Sequence, residues 1–312
     1  MGVSGLLHFR GLIMSRDWEE TFKSWSSPSS DTEDQKCKNA ETMVRAAIKQ
    51  SDTFTGRNVE IFPQGSYANN TNVRLDSDVD ICVRYLDTFF YDLPNGLTKE
   101  EVGITDATYH FSQFKDDVEA ALVDKFGRNA IKRGNKAFDI HENTYRIDAD
   151  VVACFEYKLF RQNSSGKYNY ISGTKFIADD GRETINWPRQ NYENGVSKNN
   201  ATGNRFKKIV RGLKRLRNEM AENGVAAATS IPSYLIECLV WNVPNNSFGH
   251  TNYLDDIRSV LAHTFNSTMT QEKCNEWGEV NEIKYLFRVT QPWTVGQAHN
   301  FLGAAWDYIG FN

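Results

Sequence analysis

Apolar positions recur at intervals of three and four between Asp31 and Gln50. Ala40, Met43, Val44, Ala47 and Ile48 share one stripe there, so the segment predicts an amphipathic helix. Ser30 and Glu33 stand in capping-box spacing at its start. The pattern then changes to short runs of β-formers. Val59 to Phe62 predicts a strand that leads into Pro63-Gln64-Gly65-Ser66, and Val79 to Tyr85 (VDICVRY) predicts a second. Phe114, Val118, Ala121 and Leu122 mark another helix, ended by Gly127. Lys136 to Ile140 and Tyr145 to Phe155 predict two further strands. The stretch from Asn163 to Asn204 is rich in Gly, Asn and Ser and predicts loops with short elements. Beyond Arg205 the period is helical almost to the end. A sheet-bearing first half and a helical second half predict an α+β fold, with a catalytic lobe over residues 15–200 and a helical lobe over 201–312. Met14 is as plausible a start as Met1, so residues 1–14 read as a dispensable extension.

Composition narrows the class. Hydrophobic residues make up 40% and aromatics 12% of the 312, an ordinary globular balance. The 36 Lys and Arg against 40 Asp and Glu argue against a surface that grips long nucleic acid, but leave room for one local basic patch. Five scattered cysteines without a CxxC pair, and six histidines without a cluster, exclude a disulfide framework or a zinc knuckle and predict reduced, buried thiols. The longest apolar stretch, Tyr234 to Val243, is interrupted by Glu237 and too short to span a membrane. The N-terminus lacks a long apolar core and a cleavage site, so a cytoplasmic protein without membrane attachment is expected.

The chemistry concentrates between Gly65 and Asp80. Asp76, Asp78 and Asp80 fall within five residues at the entry to an apolar strand, where Asp78 and Asp80, two apart, should share a face. Crowded carboxylates repel one another and call for a cation, and hard oxygen ligands favour Mg²⁺, with Mn²⁺ able to substitute. Asp148 and Asp150 repeat the spacing in a later strand. A third carboxylate from a neighbouring strand is what a two-metal site for phosphoryl transfer requires. Gly65 permits close approach of backbone to phosphate, and Ser66 offers a hydroxyl and an N–H.

A cationic complement lies in residues 205–217, RFKKIVRGLKRLR, with seven basic residues and no acid. Ile209, Leu213, Leu216 and Met220 form its buried stripe, and Lys207, Arg211 and Lys214 are expected on one phosphate-binding face. In the following segment Ser233 is placed to bond phosphate and Tyr234 to stack on a base. Equally, Ser230 is placed to cap the helix and Tyr234 to pack in the core; the residues leave both readings open. Trp241, Trp277, Trp293 and Trp306 read as packing residues. Outside the basic segment 29 basic residues face 40 acidic ones, so the near-neutral total hides two opposed concentrations suited to a small anion.

FPQGSYANNTNVRLDSDVDICV, followed by RIDADVVACF, resembles the DNA polymerase β-like nucleotidyltransferase superfamily. Within it the chain is similar to the bacterial CD-NTases, relatives of animal cyclic GMP-AMP synthase and oligoadenylate synthase; SPSSDTE, INWPRQNYENG and FKKIVRGLKRLRN also match that group. The resemblance implies a palm of mixed sheet flanked by helices with a C-terminal helical lobe. It implies that Asp78, Asp80 and Asp150 are catalytic ligands of two Mg²⁺ ions, with Asp148 the fallback for the third. It also implies that Gly65, Ser66, Lys214 and Ser233 hold triphosphate and that Tyr234 stacks on the base. Asp76 matches no ligand position and is expected in a turn. The implied activity is synthesis of a cyclic di- or trinucleotide from NTPs with release of pyrophosphate, in antiphage (CBASS) signalling through a separate effector that is not a stable subunit. A monomer is expected. The chain lacks the His/Cys insertion of the animal enzyme, so activation by double-stranded DNA is not expected. The alternatives are a linear 2′–5′ oligonucleotide synthase, an RNA-terminal nucleotidyltransferase, or a catalytically silent nucleotide-binding module.

Overall fold

The computed structural model describes residues 16–73, 78–141, 143 and 145–311; Met14 and Asp76 lie outside them. In chain order the elements are α1 (Trp18–Trp25), α2 (Asp31–Gln50), β1 (Val59–Gln64), α3 (Gly65–Ala68), β2 (Val79–Asp92), α4 (Phe111–Phe126), β3 (Ile131–Arg133), β4 (Phe138–Ile140), β5 (Ala149–Gln162), β6 (Tyr168–Ile177), β7 (Glu183–Asn186), α5 (Pro188–Ala201), α6 (Phe206–Glu222), α7 (Ala226–Thr229), α8 (Ser233–Trp241), α9 (Tyr253–Ser267) and α10 (Val295–Ile309). The expected α+β architecture is present, with a mixed sheet flanked by helices and a helical C-terminal part.

Among the described residues seven strands form one sheet, in the order β1-β2-β5-β4-β3, with β6 pairing with the far half of β5 and β7 with β6. β1 and β2 are antiparallel, whereas β2 and β5 are parallel. A parallel pair needs a crossover, and α4, β3 and β4 provide it. One face of the sheet buries Val79, Ile81, Val83 and Tyr85 of β2 and Val151, Ala153 and Phe155 of β5. Against it pack Cys37, Ala40, Val44, Ala47 and Ile48 of α2, and Phe114, Val118, Ala121 and Leu122 of α4. The capping box of α2 forms as its spacing predicts: Ser30 Oγ accepts from the Glu33 N–H, and the Glu33 carboxylate from the Ser30 N–H. Gly127 ends α4 with φ +81°, a conformation that side chains disfavour.

A second core lies beneath α6, whose Phe206, Ile209, Val210, Leu213, Leu216 and Met220 pack with residues of α8, α9 and α10. Phe22 of α1 joins this core, so the first described helix packs against the C-terminal helices. Trp241, Trp277, Trp293 and Trp306 also pack here, as expected. The five thiols are buried and unpaired by disulfides. No helix among the described residues is long and apolar enough to cross a membrane.

The expectation of loops between Asn163 and Asn204 is corrected. That stretch holds β6, β7 and the fourteen-residue α5. β6 is selected by its pairing with β5 from Phe155 to Gln162, a tertiary partner that local composition does not show. β5 also begins later than predicted, at Ala149, and β2 and β5 both run on past the predicted ends.

Phe114 is fully buried, with ring centroids 5.4–6.1 Å from those of Phe54, Tyr85 and Phe155. Phe114→Ala is expected to lower unfolding stability by about 3–5 kcal/mol, measured by denaturant titration.

Candidate active site

β1 delivers the chain to a turn at the sheet edge, where Gln64 lies opposite Asp80 of β2. Gly65 then takes φ +68° and starts α3. A Cβ on Gly65 would stand 2.2 Å from Asp80 Oδ2, so the Gly-Ser turn can lie against this carboxylate only because the residue is glycine. Thr71 closes the turn by donating its N–H to the Ser66 carbonyl at 2.9 Å.

The parallel register sets Asp80 beside Asp150, and the antiparallel register of β4 sets Asp139 on the other side of Asp150. Side chains at paired positions project to the same face, so three aspartates form a row across three strands. Asp139 carries no sequence motif, and only the pairing of β4 with β5 reveals it. Asp78 and Asp148 stand just before β2 and β5, outside the ladders. Only the second member of each Asp pair lies within its strand, while the charge of Asp78 acts on both Asp80 and Asp150. Burial, with the charges of Asp150 and Asp78 added, pushes Asp80 up to about 6. Burial, then Asp139 and Asp78, pushes Asp150 up to about 6.

Among the described residues no three His, Cys, Asp or Glu side chains converge around a common point. The row nevertheless fits hard divalent cations. It offers desolvated carboxylate oxygens whose mutual repulsion a cation would relieve, with a glycine leaving space beside them.

The helices of the C-terminal half supply further residues. Lys214 of α6 is 2% exposed, and its ammonium donates to Glu237 Oε2 at 2.8 Å and to Thr71 Oγ1 at 3.2 Å. Ser233 is the first residue of α8, and its Oγ accepts from Arg217 Nη2 at 2.9 Å. Ser230 instead ends α7, and Pro232 precedes α8, so the reading of Ser230 as its cap is corrected. The Tyr234 hydroxyl lies 3.1 Å from both Asn191 Oδ1 and Glu279 Oε2.

Gly65, Ser66, Asp80, Lys214, Ser233 and Tyr234 line one cavity of about 790 Å³. Asp78 and Asp150 are not among its lining residues and adjoin it through Asp80. Of the expected cationic face only Lys214 reaches the cavity. Arg211 is buried and donates to the carbonyls of Ser26 (2.9 and 2.6 Å) and Asn70 (2.6 Å), so its guanidinium is used in tying loops together. Lys207 lies half-buried by the Tyr192 ring, 5.7 Å from its centroid. Sequence reasoning singled out INWPRQNYENG without giving a role to Trp187, Asn191 and Tyr192, which α5 and its entry bring to the cavity, and gave none to Glu237, Glu279 and Asn281 from the C-terminal half. Pro188 at the first turn of α5 was the available signal for the former group.

A glycine-serine turn against a strand aspartate, a second carboxylate on the adjacent parallel strand and a facing helix lysine define a nucleotidyltransferase of the polymerase β-like kind. Residues 193–310 match the family model described as the cGAS/DncV-like nucleotidyltransferase C-terminal helical domain. The chain is 48% identical over 302 residues to a cyclic dipyrimidine nucleotide synthase CdnE of Legionella pneumophila, covering 96% of this chain and 100% of the relative. It is 41% identical to a synthase of the same name from Cecembia lonarensis, over 96% and 100% of the two chains. Its fold matches the solved Rhodothermus marinus CdnE c-UMP-AMP synthase with a TM-score of 0.83 and 31% identity, covering 94% and 97% of the two chains. The Elizabethkingia meningoseptica CdnE cyclic dinucleotide synthase matches with a TM-score of 0.77 and 37% identity, over 94% and 99%. The chain belongs to the cGAS/DncV-like nucleotidyltransferases, the CD-NTases, and the expected nucleotidyltransferase activity is the activity of that family.

Gly65→Ala is expected to cost about 1–3 kcal/mol in stability and abolish turnover, checked by thermal melts and product formation. Because the pKa of folded Asp80 is raised, its carboxyl favours the folded state below pH 4, and that advantage is lost as pH rises through about 6. In chelator, Asp80→Asn should therefore raise stability by about 3 kcal/mol at pH 7–8, with the gain vanishing near pH 4.

Proposed function

We propose that this chain joins two nucleoside triphosphates into a cyclic dinucleotide in two successive transfers, each releasing pyrophosphate. The observation that carries the reading is one cavity lined by Gly65, Ser66, Asp80, Lys214 and Ser233, with Asp150 next to Asp80 in the sheet. The names of the relatives favour a two-membered product. The Legionella and Cecembia synthases are named for dipyrimidine products and a 39% identical relative for dipurine ones, which supports pyrimidine triphosphates as substrates here.

In this reading Gly65 and Ser66 seat the triphosphate of one nucleotide against the acidic row. Lys214 and Ser233 hold the β- and γ-phosphates and the departing pyrophosphate. Tyr234, with Asn191 and Glu279 fixing its hydroxyl, presents its ring to a base. A ribose hydroxyl of one nucleotide attacks the α-phosphorus of the other; the new O–P bond forms as the bond to pyrophosphate breaks, and the linear product is then closed by a second transfer. Two Mg²⁺ ions held by Asp78, Asp80 and Asp150 would lower the pKa of the attacking hydroxyl and neutralise charge on the phosphates. Residues 15–200 form the catalytic lobe and 201–312 the lobe that completes the nucleotide site, with α1 crossing to the second core. The product acts on a separate effector in cytoplasmic antiphage signalling.

Incubating the protein with a mixture of four NTPs and Mg²⁺ or Mn²⁺, followed by phosphatase and mass spectrometry, is expected to yield a resistant cyclic dinucleotide. Asp78→Ala and Asp80→Ala should each abolish it while the circular dichroism spectrum stays native. Exclusively linear products, or none under any condition, would overturn the reading.

A further inference from the structure

One buried acid in the cavity wall has no part in the reaction just described. Glu237 is 2% exposed and follows Ser233 by four residues on α8, so both side chains face the same side of the helix. Its Oε2 accepts from Lys214 Nζ at 2.8 Å and from Thr71 Oγ1 at 2.7 Å. Thr71 Oγ1 in turn accepts from Lys214 Nζ at 3.2 Å, which closes a triangle. The Thr71 N–H bonds the Ser66 carbonyl, so the triangle joins the Gly-Ser turn to α6 and α8. Lys214 and Glu237 both line the cavity. An ammonium has three N–H donors, and the described hydrogen bonds occupy two of those of Lys214.

Stability alone does not account for such a pair. Desolvating two charges costs as much as their attraction returns, and an apolar pair of similar volume would serve a core as well. What the pair does provide is a charged lysine held in one place. A buried ammonium without a counter-charge is costly and would swing to other acceptors. Glu237 and Thr71 hold two donors in a fixed geometry, leaving the third for an anion in the cavity. We propose that Glu237 is a positioning residue for phosphate: with Thr71 it holds the Lys214 ammonium in place for the triphosphate, so recognition of polyphosphate by Lys214 depends on the carboxylate behind it. This inference rests on the proposed placement of triphosphate at Lys214.

The test measures binding of inorganic tripolyphosphate, a base-free probe, by calorimetry with Mg²⁺ to the wild-type chain and to Lys214→Ala, Glu237→Gln, Thr71→Val and the Lys214→Ala/Glu237→Gln double variant. Measurements are made below every melting temperature. Lys214→Ala and Glu237→Gln are each expected to raise Kd about tenfold or more, and Thr71→Val at least threefold in the same direction. The double variant should bind no more weakly than Lys214→Ala, because both substitutions remove one contact. In steady state Glu237→Gln should raise KM for NTP by a larger factor than it lowers kcat. If Lys214→Ala weakens binding but Glu237→Gln and Thr71→Val stay within twofold of wild type, the positioning role is wrong and the site reading stands. If Lys214→Ala itself leaves binding unchanged, the placement of triphosphate falls and this inference with it. A Glu237→Gln variant that melts lower yet keeps KM and Kd marks the pair as purely structural. Should Glu237→Gln fail to fold, Thr71→Val decides alone.

Discussion

The site depends on the parallel register of β2 with β5, which holds Asp80 next to Asp150 in a partly buried row. Every other feature of the acidic wall is arranged around that adjacency. Residue 65 has to be a glycine because Asp80 occupies the space a side chain would need. The protonation of both acids is shifted upward because each is buried near others of like charge. A fold built for stability alone would not align carboxylates across three strands. The strain is of the kind that ligand binding relieves and that functional sites retain.

Two cores meet at this wall, and polar contacts tie them together. Arg211 grips the carbonyls of Ser26 and Asn70, and the Lys214–Glu237–Thr71 triangle connects α6 and α8 to the Gly-Ser turn. These contacts fix α6 against the loop that follows the Gly-Ser turn. Residues from both halves of the chain line the cavity. Segregating charge in this way also explains a near-neutral chain that can still hold a highly charged substrate. Asp80 and Lys214 both line a cavity of about 790 Å³, and Arg211 and Lys214 are the buried members of the basic segment.

Legibility differed by the range of the interactions involved. α2 was readable to the residue because its cap and its stripe lie within its own twenty positions. β2 was readable at its start, where VDICVRY enters the sheet, and Gly65, Ser66 and Asp80 came with it. β6 and α5 were not, because Asn- and Gly-rich sequence became ordered through pairing with β5 and packing beside α6. Arg211 and Lys214 look equivalent on a helical wheel, yet one is consumed by loop carbonyls and the other meets the cavity. Asp139 was invisible for the same reason, since its importance is only its place opposite Asp150.

The class of fold, the family, the Gly-Ser turn and the two acidic strand entries are legible in the chain alone. These rest on local backbone preferences and on side-chain spacing within a few residues, which one chain segment encodes alone. The three-dimensional fold alone reveals which aspartates stand in one row, which lysine of α6 lines the cavity, and that a buried glutamate accepts its hydrogen bond. Those are relations between strands and helices dozens of residues apart, set by register and by competition among partners for each buried charge.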